Sequence, residues 1–183
     1  TIVIKYGGHA MGDSKLSSSF AKDIGLLKEV GISPIIVHGG GPQIGERLKS
    51  KNISSKFVDG LRVTDKETIK IVEEVLSKDI NSEIVESISS SGGKAIGVSG
   101  NINNLITATK LHVETKDSDS NIEKVVDIGF VGQPVKLDKS IITNIAKTIE
   151  NKPALEVDAK QRITLVNKIN WKKNFLDIVN SLL

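Results

Sequence analysis

The chain has 183 residues, 38% of them hydrophobic, which suits one domain with a sizeable core. Its 25 basic and 22 acidic residues leave a formal net charge of +3 with no concentrated basic stripe, and aromatic residues make up only 3%; both features argue against nucleic-acid binding. Cysteine is absent, which excludes disulfides and thiolate metal sites, and no apolar run approaches the roughly 20 residues of a membrane helix.

In chain order, Ile2 to Tyr6 and Ser33 to His38 are short, β-branched, nearly continuous apolar runs, the pattern of strands covered on both faces of a parallel sheet. Between them Phe20, Ile24, Leu27 and Val30 recur at helical spacing, and Gly31 follows where a helix stops. Pro42 fits a first helical turn, so the segment to about Lys51 reads as helix. Thr64 and Glu67 have capping-box spacing ahead of a stripe of Ile69, Val72, Val75 and Leu76. A further helix through Ile84, Val85 and Ile88 ends at Gly92-Gly93, and Ala95 to Val98 reads as a third buried strand. This alternation predicts an α/β fold with a mainly parallel sheet.

From Leu105 to Leu137 the pattern changes to short β segments, an antiparallel flap whose polar stretch Lys116 to Asn121 suits a hairpin tip. Asp138 is placed to cap a helix carrying Ile141, Ile142, Ile145 and Ile149. Beyond it, Ile163 to Val166 reads as a strand and Trp171 to Leu182 as an amphipathic helix. No internal repeat, low-complexity linker or composition shift marks a second domain. The opening Thr1-Ile2-Val3-Ile4-Lys5 lacks a secretory pattern, so a cytoplasmic protein is expected.

Several residues suggest an anion site. Lys5 interrupts an apolar strand, and a buried ammonium needs a counter-anion such as phosphate; the alternatives are snorkelling to water or pairing with a carboxylate. Gly7 and Gly8 let backbone amides approach an oxyanion, or simply form a tight turn. Gly39, Gly40 and Gly41, between a strand and a proline-started helix, allow a ligand to lie against the main chain under a helix dipole; close packing is the other explanation. Arg62, just ahead of a capped helix, has the planar fork that grips a carboxylate, although a lone arginine is usually a solvated surface residue. Gly97-Val98-Ser99-Gly100-Asn101 is a strand exit that lines the site or simply turns. His38 orients the glycine loop or packs under it; His9, His38 and His112 lack metal-ligand spacing. Neither glycine loop fits the Walker or dinucleotide fingerprint.

Ile4-Lys5-Tyr6-Gly7-Gly8-His9-Ala10-Met11, Ile36-Val37-His38-Gly39-Gly40-Gly41-Pro42-Gln43-Ile44 and Gly60-Leu61-Arg62-Val63-Thr64-Asp65 resemble, in order and spacing, the N-acetylglutamate kinases of the amino acid kinase family. Gly97-Val98-Ser99-Gly100 and Asp127 to Val135 continue the likeness, which covers Thr1 to about Ile145. The resemblance implies a three-layer α/β/α sandwich, an acyl-amino-acid-binding lobe over residues 1–145, and a tail from 146 to 183 without recognisable nucleotide-lobe motifs. It implies an enzyme that passes the γ-phosphoryl group of ATP, with Mg2+, to the γ-carboxylate of N-acetyl-L-glutamate in arginine biosynthesis, as a homodimer. By the same resemblance, Lys5 would neutralise charge on the transferring phosphoryl group, Gly7 and Gly8 would contact phosphate, Gly40 and Gly41 would bind the reacting end of the substrate, and Arg62 would hold its α-carboxylate.

The likeness is partial. Family members are longer, and their Asn-x-Asn-Ala-Asp segment, Leu-Thr-Asp-Val strand and second phosphate-stabilising lysine have no counterpart between Lys139 and Leu183; Glu156-Val157-Asp158-Ala159 echoes the first without its asparagines, and Lys160 and Lys168 find no place. The extra amino-terminal helix of arginine-inhibited hexamers has no counterpart before the first strand. Three expectations follow: an incomplete or shortened acetylglutamate kinase, a catalytically silent module that binds the acyl amino acid, or a sister kinase with another carboxylate substrate.

Overall fold

A computed structural model describes residues 1–7, 11–116 and 123–151 of the chain. Gly8, His9 and Ala10, the expected hairpin tip after Lys116, and the strand and helix expected beyond residue 151 lie outside the described residues.

Strand β1 (Ile2–Tyr6) pairs in parallel with β2 (Pro34–His38), with Ile4 opposite Ile36 and Tyr6 opposite His38. Helix α1 (Ser14–Glu29) makes the crossover between them. It starts where the Asp13 carboxylate accepts from the backbone N–H groups of Lys15 and Leu16, and it stops ahead of Gly31, whose φ of +85° an L side chain rarely adopts. Alternation along a strand puts Ile4 and Ile36 on one sheet face, where they pack against Ala21 and Ile24 of α1 and Ile88 of a later helix. Lys5 belongs to the opposite face and is exposed. The expectation of a buried ammonium is therefore corrected: the side chain is exposed.

Helix α2 (Gly41–Ser50) carries Ile44 and Leu48 into a second cluster with Ile71, Val72, Val75, Leu76 and Ile80. Each such side chain contributes about 1.5–3 kcal/mol of burial. The second half of that cluster comes from one long helical run: α3 (Lys66–Glu73), a π-helical segment (Glu74–Ile80) and α4 (Asn81–Ser90). Asp65, one residue after the expected cap, accepts from the N–H groups of Glu67 and Thr68. Thr64 is engaged elsewhere: its hydroxyl donates to the Arg62 carbonyl, its N–H to Ile128, and its own carbonyl accepts from Phe130 N–H.

Among the described residues Ala95 to Val98 joins no sheet, which corrects the third strand expected there; Val98 is nonetheless buried. The remaining strands are antiparallel. β3 (Phe57–Val58) pairs with β4 (Leu61–Arg62), β5 (Ile106–Lys110) with β8 (Gly132–Leu137), and β6 (Val113–Lys116) with β7 (Glu123–Val126). β5 to β8 fall within the expected flap, whereas the β3–β4 hairpin lies ahead of it; after the flap α5 (Lys139–Asn151) begins at Asp138, whose carboxylate accepts from Ser140 N–H. The fold is thus α/β, with a parallel pair and antiparallel strands. No helix among the described residues is long and apolar enough to cross a membrane.

Candidate functional site

The β1–β2 register brings the two glycine loops side by side. Gly39 N–H donates to the Tyr6 carbonyl at 3.2 Å, and a β-carbon on Gly7 would stand 3.9 Å from the Gly39 nitrogen. Gly7 and the triple-glycine loop therefore share one end of the parallel pair, and Lys5 precedes it, opposite Val37. Gly8 lies outside the described residues.

Within the triple-glycine loop the residues divide their work. Gly40 is buried, and a β-carbon there would overlap Leu76 Cδ2 and lie 2.6 Å from Ile80 Cδ1, so its hydrogen side chain lets the π segment pack against the loop. Gly41 is exposed with nothing within 4 Å of a notional β-carbon. The N-cap of α2 is Gly40, which has no side chain to cap the helix, and Pro42 has no N–H; among the described residues no cap competes with an anion or water for the other first-turn N–H groups.

Arg62 joins this loop from β4. Its Nη2 donates to the Gly41 carbonyl at 3.4 Å, while Nε and Nη1 are buried without hydrogen-bond partners among the described residues. The whole residue is only 5% exposed. Burial lowers its pKa below the ordinary guanidinium range, yet a guanidinium remains charged throughout the physiological range. Phe57 lies over it, with the ring centre 4.6 Å from Cζ. A buried cation with unused donors is costly unless an acceptor completes it, so this is the place in the described structure that most calls for a ligand carboxylate.

His38 packs beneath the loop, 2% exposed, with Nδ1 3.0 Å from the Gly39 carbonyl. A carbonyl only accepts, so Nδ1 carries the proton and Nε2 is left as a buried lone pair with no partner among the described residues. Burial, the larger cause, lowers the His38 pKa from 6.5; the hydrogen bond to Gly39 opposes it. Of the two roles the sequence left open for His38, packing and orienting, the structure shows both.

The Gly60-to-Thr64 segment is fixed by the loop after β7. Thr64 and Gly129 form a parallel bridge, and Asp127 accepts from Gly129 N–H at 2.8 Å and from Lys110 Nζ at 2.6 Å. The Lys110 bond, followed by the Gly129 N–H, holds the Asp127 carboxyl below its usual range. On the other side, Ser99 Oγ donates to Asn101 Oδ1 at 2.6 Å and Asn101 Nδ2 to Glu73 Oε1 at 3.1 Å, which ties the Gly97-to-Asn101 turn to the long helix. Sequence reasoning missed Phe57 and the Asn101–Glu73 tie. The signal for Phe57 was present: Asp59-Gly60 is a two-residue hairpin turn that sets residues 57 and 62 opposite one another.

A cavity of about 80 Å³ lies under the loops, lined by Tyr6, Met11, Ser17, Phe20, Gln43 and Glu83 among others; Lys5, Gly40, Gly41 and Arg62 are not part of its wall. The unused donors of Arg62 decide the site more firmly than this cavity does, because they name the charge a ligand must carry. Among the described residues no group of three or more histidine, aspartate or glutamate side chains is arranged to hold a metal ion.

Residues 1–154 match the family model described as the amino acid kinase family. Acetylglutamate kinase from Rhizorhabdus wittichii is 54% identical over 147 residues, 80% of this chain and 49% of that protein. The acetylglutamate kinase of Erythrobacter litoralis is 58% identical over 142 residues, 78% of this chain and 48% of that protein. The chain spans about half the length of the curated relatives it matches. Among solved structures, smu.665 from Streptococcus mutans is similar with a TM-score of 0.64 at 26% identity, over 80% of this chain and 54% of that one. N-acetylglutamate synthase from Neisseria gonorrhoeae, complexed with coenzyme A and N-acetyl-glutamate, shares the fold with a TM-score of 0.58 at 21% identity, over 80% of this chain and 31% of that one.

Proposed function

The chain belongs to the amino acid kinase family, and we propose that it is the acyl-amino-acid-binding part of an N-acetylglutamate kinase, with Arg62 as the group that receives the substrate's α-carboxylate. The observation that carries this reading is the buried guanidinium beside the triple-glycine loop, whose Nε and Nη1 have no partner among the described residues. An α-carboxylate on Arg62 directs the side chain of the amino acid away from it, and the adjoining glycine loops leave room for the γ-carboxylate against the main chain.

ATP supplies the phosphoryl group. Lys5 would meet its negative charge from the exposed end of β1, with Gly7 and Gly8 presenting backbone amides and Gly40 and Gly41 steadying the acceptor. Mg2+ would be held mainly by phosphate oxygens and water, as that ion usually is. Such chemistry needs positioning and fixed positive charge rather than a covalent intermediate. The product would be the acyl phosphate of arginine biosynthesis, made in the cytoplasm by a homodimer, with no nucleic acid as partner. The lobe would extend over residues 1–145.

Calorimetry of the chain with N-acetyl-L-glutamate and with ATP, separately and together, tests this. Binding of the amino acid, displaced poorly by glutamate and aminoadipate, is the expected result. Binding without turnover points to a module that only holds the acyl amino acid, preference for another carboxylate to a sister kinase, and no binding of any of them overturns the proposal.

A further inference from the structure

The β3–β4 hairpin sets Phe57 directly across from Arg62. Its turn residues Asp59 and Gly60 both have positive φ, 47° and 76°, the geometry of a tight two-residue hairpin, so the register has little freedom to slip. Directly opposed residues share a sheet face, and the Phe57 ring lies 4.6 Å from Arg62 Cζ. Arg62 is 5% exposed but Phe57 is 56% exposed. A phenyl ring left largely in water adds little to the core; one of its faces is instead occupied by a cation.

Resting on the assignment of Arg62 to the substrate carboxylate, we propose that Phe57 is a positioning residue that determines specificity at this site, covering one face of the Arg62 guanidinium so that a carboxylate meets it only in the guanidinium plane. The five N–H donors of a guanidinium lie in its plane, and the negative face of an aromatic ring attracts the cation without competing for any of them. The Gly41 carbonyl anchors Nη2 from the loop side. Between ring and carbonyl, rotation of the guanidinium is restricted and water is kept from one face, which strengthens its attraction for an anion. A planar carboxylate fits the remaining edge with two parallel hydrogen bonds, whereas a carboxamide of the same shape brings one donor group against the donors of Arg62. Phe57 thereby favours the acid over its amide without touching the reacting end of the substrate.

The test uses the 183-residue chain labelled with 15N, following the arginine Nε–H signals during titration with N-acetyl-L-glutamate and with its α-carboxamide. Arg62→Lys identifies the Arg62 signal by its loss. In the wild type and in Phe57→Tyr that signal is displaced by the ring and moves on adding the acid. Phe57→Leu, which keeps an apolar cover but no ring, loses the displacement, binds the acid about 5- to 30-fold more weakly, as about 1–2 kcal/mol of lost cation–π attraction requires, and discriminates less against the amide. Equal affinity and equal acid-to-amide preference in the wild type and Phe57→Leu overturn the inference while leaving the function standing. A wild-type Arg62 signal that ignores the acid overturns both.

Discussion

Gly129 lies so close to Thr64 that a β-carbon on it would overlap the Thr64 carbonyl oxygen, and its φ of +79° is one that other residues rarely adopt. Thr64 lies two residues beyond Arg62, so the loop after β7 holds the backbone that carries the buried cation. Gly129→Ala meets both strain and overlap. A loss of about 1–3 kcal/mol is expected, read as a lower urea midpoint, together with weaker binding of N-acetyl-L-glutamate. An unchanged midpoint would mean that the contact with Thr64 relaxes freely.

The triple-glycine loop separates packing from binding in one pair of variants. Gly40→Ala pushes a methyl group into Leu76 and Ile80 of the π segment, and overpacking of this kind costs about 1–3 kcal/mol. Gly41→Ala meets no atom within 4 Å, so thermal unfolding should keep its midpoint while the affinity for the acyl amino acid falls. Equal thermal losses in the two variants would show that both glycines serve packing alone.

Much of this arrangement was legible in the sequence because it depends on local periodicity and on spacing. β1, α1, β2 and α2 follow from apolar runs, a helical stripe and glycine stops, and the antiparallel flap follows from short β segments. What was misread depends on partners distant along the chain. Thr64 and Asp65 are both good caps, and Asp65 takes the task because the 128–130 loop occupies the Thr64 backbone. Lys5 looked buried because its neighbours are apolar, whereas its exposure depends on which sheet face the helices cover. Ala95 to Val98 has the composition of a buried strand, but a ladder also needs a neighbouring edge. The burial of Arg62 requires Gly41 and Phe57 together, and only the Asp59-Gly60 turn hinted at the second.

Arg62 and Lys5 should fail differently. Arg62→Met removes a buried cation with unused donors, so stability should stay level or rise. Its affinity for N-acetyl-L-glutamate should fall by about 1.5–3 kcal/mol, roughly 10- to 150-fold, for a lost charged hydrogen bond. Lys5→Ala changes an exposed side chain: amino-acid affinity should stay within about threefold, while transfer from ATP, followed by ADP release, falls about 100-fold. The reverse pattern would exchange the two roles and contradict the proposed site.

His38 gives the chain a stability that depends on pH in a window separate from its carboxylates. Its folded pKa lies below the ordinary 6.5, chiefly through burial, so below that pH the unfolded chain binds the proton more readily than the folded one. The contribution of His38 is therefore complete above about pH 6.5 and declines as pH falls toward the folded value, with a slope of at most about 1.4 kcal/mol per pH unit. Asp65, Asp127 and Asp138, whose pKa values are lowered from 3.8 chiefly by hydrogen bonds from Thr68, Lys110 and Ser140, lose their contributions only in more acid solution. Urea midpoints measured at pH 7 and pH 5 should thus differ in the wild type and converge in His38→Gln, which keeps a polar group of similar reach but cannot take up a proton. If His38→Gln shows the same fall between the two pH values as the wild type, the imidazole under the glycine loop is not the group that titrates.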